Sequence, residues 1–255
     1  MPTVETVGNQ QVVFKLSGSN LAKIVLSLPI GGFFACLLLS LMYDWHESTA
    51  THCGVVNYLP SISSAIGGFT PQRYIWRICI ALHCAPRFMI AVMYFNFYLS
   101  SKALLSAQRF YNTLVWVNML LNISENFFLI LLTCVSSTEN YLVHERSFIL
   151  FIIASECHML LSLLLNKWSK SYRPLSRKEV AADRKKLAMF LANLMACLLA
   201  GYFFYRHNKF CEAGIYTYFA ACEYTVVLTN IAFHGCAVYD FGHGAISFMV
   251  PMHKD

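Results

Sequence analysis

Six apolar runs alternate with short polar stretches along the chain, at 21–43, 74–99, 114–134, 148–165, 187–205 and 215–239. A helix rises about 1.5 Å per residue, so roughly 20 residues cross a hydrocarbon core about 30 Å thick. The pattern predicts an all-α fold, a polytopic membrane helix bundle with about six transmembrane helices. It reads as a single domain over 21–239, with an N-terminal segment at 1–20 and a tail at 240–255. Loops fall at 44–73, 166–186 and 206–214. The first run is longer than the apolar part of a signal peptide and lacks a small-residue cleavage site, so it reads as a retained anchor.

Composition narrows the class. Only 13% of residues are charged, about half of what soluble domains carry, and the polar sequence is consumed by loops. No room remains for a separate soluble domain. Charge placement then suggests orientation. Thirteen of the nineteen Lys and Arg lie on one side of the six-span scheme: Lys15, Lys23, Lys102, Arg109, eight between 167 and 186, and Lys254. The excess of positive charge puts both termini in the cytosol. The basic run at 167–186 is expected to face anionic headgroups. That membrane role is sufficient for it, and no nucleic-acid partner is expected.

Against this apolar background, ionisable groups stand out. Glu125, Glu156, Glu223, Arg77 and Arg87 lie inside spans, where a charge is costly unless paired or wet and is a functional candidate for that reason. Counting from the expected lumenal boundaries, His83, Glu125, Glu156 and Glu223 all lie roughly 12–14 Å deep. Asn118, Asn122 and Glu125 share one helical face, as do Glu223, Asn230 and His234. His83 and Arg87 are one turn apart, and Pro86 between them leaves the Leu82 carbonyl without its helical donor. A polar pocket open to the lumen is the expectation. Glu156 and His158 are two residues apart and face different ways, so Glu156 is assigned to the pocket and His158 to packing between helices. Bundles also use asparagines simply to tie helices together.

Near the lumenal boundary lie Arg73, Arg77, Arg206 and Lys209, which either snorkel to headgroups or hold a phosphate. His46 and His52 in the first lumenal loop could act as base or ligand, or be solvated. Eight of the ten cysteines fall in spans, where Cys behaves as a small apolar residue. Cys53 and Cys211 both fall in lumenal loops, and a disulfide and two free thiols are both open for them. No HxxxH or HxxE spacing supports a metal, and no metal or other cofactor is expected.

Several longer strings carry a resemblance. Thr51-His52-Cys53-Gly54, Asn57-Tyr58-Leu59-Pro60, Ser63-Ser64-Ala65-Ile66-Gly67-Gly68 and Pro71-Gln72-Arg73-Tyr74 form one group. Pro86-Arg87-Phe88 follows. Then come Arg206-His207-Asn208, Cys211-Glu212-Ala213-Gly214, the stretch from Glu223 through Asn230, Ala232-Phe233-His234 and Asp240-Phe241-Gly242. In these the chain resembles the FRAG1/DRAM/Sfk1 family of multi-span proteins, from about Lys23 to Gly242.

The resemblance implies a Golgi membrane protein, with the endoplasmic reticulum as a further location, required for fatty-acid remodelling of glycosylphosphatidylinositol (GPI) anchors. After a partner removes the unsaturated sn-2 chain, the lyso-GPI anchor receives a saturated one. The leading expectation is a lumen-facing acyltransferase. One of His83, Glu125, Glu156 and Glu223 would be the base, and Arg87 or Arg77 would face the oxyanion. Arg73, Arg77, Asn122, Arg206, Lys209, Asn230 and His234 are the candidate substrate-binding set. The acyl donor is open between acyl-CoA and a phospholipid. With no GxSxG elbow, direct transfer is expected, with Cys79, Cys84, Cys157 or Cys222 as the alternative nucleophiles. The rival expectations are a non-catalytic factor that binds lyso-GPI and presents it to a separate enzyme, or a lipid carrier.

Overall fold

A computed structural model describes residues 6–7, 10–101, 107–171, 174–241 and 244–251. Lys102, Arg173 and Lys254 of the charge tally lie outside the described residues. Among the described residues, five helices are long and apolar enough to cross a membrane: α1 (Gly18–Tyr43), α4 (Gln72–Leu99), α5 (Gln108–Cys134), α6 (Tyr141–Ser169) and α7 (Arg177–Phe210). The sixth expected span is the 21-residue helix α8 (Ile215–Gly235). It is long enough, but Glu223, Asn230 and His234 dilute its apolar content. Short helices α2 (Trp45–Thr49) and α3 (Ile62–Gly67) lie between α1 and α4, and α9 (Ala237–Asp240) follows α8.

The bundle is polar inside and apolar outside. Leu38, Ile78, Leu120, Ile153 and Leu198 are exposed, whereas His83, Arg87, Asn118, Glu125, His158 and Asn230 are buried. In lipid, apolar side chains gain nothing by hiding, so interhelical polar contacts decide which face turns inward.

One end of the bundle carries strands that the apolar pattern does not predict. Strands β1 (Thr6–Val7), β2 (Gln10–Ser17) and β3 (Ala245–Pro251) form an antiparallel sheet in the order β1-β2-β3. The segments read as two tails thus pair with each other. Pairing continues into α1 through Gly18 N, which donates to Gly244 O at 2.8 Å. A side chain at Gly18 would meet the Phe241 carbonyl at 2.7 Å, and only glycine allows that approach.

The basic run at 167–186 also departs from its expected form. Helix α7 starts at Arg177, with a capping box between Ser176 and Glu179, so half of the supposed loop is helix. Lys186 is buried and paired with Asp240, which also accepts from Tyr94 Oη at 2.5 Å. Lys170 is buried too, 2.8 Å from Asp183 Oδ1. Two of the cations expected at headgroups therefore hold the helix ends together.

At the opposite end, the loop from 50 to 61 is laced to the start of α8. Cys53 and Cys211 are joined by a disulfide. Gly214 N donates to Val56 O, Thr217 Oγ1 to Asn57 Oδ1, and Tyr224 Oη to Pro60 O. These contacts join two of the string groups that carry the family resemblance, and they fix the position of α3.

Candidate functional site

Two polar layers sit between the disulfide end and the middle of the bundle. The deeper one centres on Glu125, which is fully buried. Its Oε1 accepts from Arg87 Nη2 at 2.6 Å and Asn230 Nδ2 at 2.8 Å, and lies 3.0 Å from His234 Nε2. Asn230 Nδ2 also donates to Ser155 Oγ at 2.7 Å. His234 Nε2 is 2.6 Å from Arg87 Nη2. A protonated Nε2 donates to Glu125, and an unprotonated one accepts from Arg87; the same atom cannot do both at once. His158 stacks on His234 with ring centroids 5.5 Å apart and planes within 2°.

This arrangement reverses the assignment of Glu156 and His158. Two residues along a helix differ by about 200°, so one faces in and the other away. Ser155, His158, Ser162 and Asn166 form the buried stripe of α6, which puts His158 beside Glu125. Glu156 is half-buried beside the Cys197 thiol of α7. The polar stripe at 155, 158, 162 and 166 was the available signal.

His83 borders an inner cavity of about 70 Å³ together with Arg87, Asn230 and Glu223. Its Nδ1 lies 2.8 Å from the Val25 carbonyl. That carbonyl is free because its helical donor would be the N–H of residue 29, which is Pro29, and proline has none. The expected acceptor, the Leu82 carbonyl freed by Pro86, receives no side-chain donor among the described residues. A proline in α1, not the one in α4, thus orients His83. A carbonyl only accepts, so Nδ1 carries the proton, and Nε2 of a neutral ring keeps its lone pair. Asn122 is buried on the Glu125 face of α5, and its Oδ1 has no hydrogen-bond partner among the described residues.

The shallower layer opens into an outer cavity of about 790 Å³ between α6 and α7, with α8 as its floor. Phe148, Ile149, Ile152, Phe204 and Phe219 line it. Ser63, His144 and Glu223 border both cavities. Glu223 Oε2 accepts from Ile62 N at 3.1 Å and so holds the first turn of α3. Ser63 Oγ lies 2.8 Å from His144 Nε2, and His144 Nδ1 lies 2.8 Å from the Val135 carbonyl. Val135 caps α5, where terminal carbonyls lack helical partners. His144 was not singled out in the sequence, because one histidine near a span end carries no pattern.

The four boundary cations do not converge. Arg77 donates to Thr133 O, Cys134 O and Glu139 Oε2, at 3.3, 2.7 and 2.6 Å, capping α5. Arg73 Nε donates to Gly67 O at 2.8 Å, at the end of α3. Arg206 pairs with Glu212, and Lys209 Nζ donates to Tyr205 Oη at 2.8 Å. None of the four borders the outer cavity. Glu139, in the loop after α5, has its carboxyl held below the ordinary range by the Ser136 backbone and hydroxyl donors, with Arg77 adding to the effect.

Among the described residues, two groups have metal-like spacing. Ligand atoms of Glu125, His158 and His234 lie within 4.8 Å of one another, but the Arg87 guanidinium stands against two of them, where it would repel a cation. His52, Cys53 and His207 are similarly close. There the sulfur is tied up in the disulfide and offers no thiolate.

A family description, Frag1/DRAM/Sfk1/Cwh43P N-terminal domain, matches residues 17–244. Post-GPI attachment to proteins factor 2 of Drosophila pseudoobscura pseudoobscura is 43% identical over 242 residues, 94% of this chain and 92% of the relative. A Xenopus tropicalis protein named Acyltransferase PGAP2 is 43% identical over 243 residues, 95% and 94% of the two chains. Post-GPI attachment to proteins factor 2 of Caenorhabditis elegans is 40% identical, over 85% of this chain and 82% of its own. No solved structure matches.

Proposed function

The chain belongs to the Frag1/DRAM/Sfk1/Cwh43P family, and on that premise we propose that it acts in GPI-anchor remodelling as an acyltransferase. It restores a saturated chain to the sn-2 hydroxyl of a lyso-GPI anchor. The names of relatives at 43% identity support a role with GPI and acyl transfer as the reaction class. The reaction is set in the Golgi lumen, after a separate enzyme has removed the original chain.

The observation that carries this reading is the outer cavity. It lies between two long apolar helices, has Phe148, Ile149, Ile152, Phe204 and Phe219 along its apolar wall, also carries polar groups such as Glu47, His52 and Glu145, and reaches Ser63, His144 and Glu223. A lipid entering between α6 and α7 would keep its chain in apolar surroundings. Its glycerol hydroxyl would sit beside groups able to take a proton. The depth suits a glycerolipid. His144 is three residues into α6, about 5 Å along it, whereas Glu125 lies nine residues before the end of α5, about 14 Å. Ester groups of lipids lie near the interface, so the shallow layer is the reaction level. The Glu125–Arg87–His234 cluster below it holds the helices in register.

Orientation follows the same logic. The disulfide and the cavity mouth share one end of the bundle, and disulfides persist in an oxidising lumen. The sheet end, with β1, β2 and β3, then faces the cytosol.

The test is reconstitution. Purified full-length protein in nanodiscs is given lyso-GPI with either a saturated acyl-CoA or a saturated phospholipid. Diacylated product with one donor supports the reading and identifies the donor. Binding of lyso-GPI without product from either donor overturns it in favour of a presenting factor, and movement of lyso-GPI between leaflets without product favours a carrier.

A further inference from the structure

We propose that Ser63 is the catalytic nucleophile, holding the acyl group as a covalent ester with His144 as its general base. The proposal rests on the acyl-transfer reading above and replaces the direct transfer expected from the sequence. Proton positions carry the first step of the argument. His144 Nδ1 must donate to the Val135 carbonyl at 2.8 Å, so the lone pair of the neutral ring is on Nε2. Ser63 Oγ, 2.8 Å from Nε2, therefore donates its own hydrogen to it. This is the arrangement that activates a hydroxyl: nucleophile to base, and base fixed in its tautomer by a third group. Here the third group is a backbone carbonyl instead of a carboxylate.

A simple tie between α3 and its neighbours is the competing explanation. Helix α3 is already held on its other sides by Ser40 Oγ to Ala65 O at 2.7 Å, Ser64 Oγ to Ser48 O at 2.7 Å, Arg73 to Gly67 O, and Ile62 N to Glu223. The Ser63–His144 bond is the one among these whose two side chains both border both cavities. The four cysteines named from the sequence compare poorly. Cys157 is exposed on the outer surface, Cys84 is buried in an apolar cluster, and neither Cys79 nor Cys222 borders the cavities.

The chemistry balances without an added reagent. Ser63 Oγ attacks the carbonyl carbon of an acyl ester or thioester, and its proton moves to His144 Nε2. The donor's alkoxide or thiolate leaves with that proton, and the acyl group stays on Oγ. The sn-2 hydroxyl of the lysolipid then attacks the ester, its proton passes to Nε2, and the bond to Oγ breaks. Ser63 recovers the proton. Glu223 takes no proton here; it positions Ser63 through Ile62 N.

The experiment uses full-length protein in nanodiscs with an alkyne-tagged saturated acyl donor, first without lyso-GPI. Mass spectrometry of the digest is expected to find the acyl adduct on Ser63. Ser63→Ala should lose the adduct, and His144→Ala should slow transfer at least about 100-fold. Ser63→Cys guards against misfolding: it should be labelled as a thioester cleaved by neutral hydroxylamine, whereas the wild-type oxygen ester resists. Wild-type turnover matched by Ser63→Ala within threefold overturns the covalent step and leaves the acyl-transfer reading standing. An adduct on Ser63 that never passes to lyso-GPI supports the serine step and overturns the assigned acceptor. Neither adduct nor turnover in the wild type overturns both.

Discussion

Arg87 Nη2 lies 2.6 Å from Glu125 Oε1, with both side chains almost wholly buried, so the bundle encloses an ion pair contributed by two different helices. Removing one partner leaves the other charge stranded, which costs about 3–5 kcal/mol. Arg87→Met and Glu125→Gln should each lower the melting temperature in detergent sharply. The double variant should be less destabilised than the sum of the two. Additive losses would mean that the pair is not coupled.

A second coupling joins Pro29 and His83 through one carbonyl. His83→Phe leaves the Val25 carbonyl without a donor, at about 1–3 kcal/mol. Replacing Pro29 by Ala restores an N–H at position 29 able to take that carbonyl, so His83→Phe should cost much less in a Pro29→Ala background. The coupling energy from the four melting curves checks this, and a value near zero would sink it.

Much of this was legible in the sequence, and the failures have physical causes. The apolar runs locate the long helices because a bilayer sets a minimum length, and the stripes Asn118-Asn122-Glu125 and Glu223-Asn230-His234 are buried as their spacing implies. The two-residue spacing of Glu156 and His158 says only that they face apart; which of them faces in is told by the wider polar stripe at 155, 158, 162 and 166. Arg73 and Arg77 look like free cations because the carbonyls they cap belong to other segments. Ser63 and His144 are 81 residues apart, and they meet only because the loop after α2 docks on α8. The terminal sheet escaped for a similar reason: β2 and β3 each need the other end of the chain as a partner.

The disulfide should act as a single unit. Cys53→Ser, Cys211→Ser and the double variant are expected to lose similar stability, about 2–4 kcal/mol for a bond closing so long a loop. Alkylation with a mass-tagged maleimide under denaturing conditions should modify two further cysteines once the protein is reduced. An unchanged count would place these residues in a reducing environment and reverse the orientation proposed for the bundle.

The outer cavity can be filled without disturbing the fold. A side chain at Gly201 of α7 would begin in open space, with nothing within 4 Å of its first carbon, and Gly201 lines the cavity. Gly201→Leu should therefore leave the melting temperature unchanged or raise it, since leucine favours helix over glycine by nearly 1 kcal/mol. If the cavity holds the acyl chain, the added side chain takes the room of two or three methylenes. Each displaced methylene costs about 0.8 kcal/mol, so the preference for a long saturated donor over one shorter by four carbons should fall at least about tenfold. The measurement is competition between the two donors in the nanodisc assay. A variant that folds normally and keeps wild-type chain selectivity would show that the acyl chain lies elsewhere.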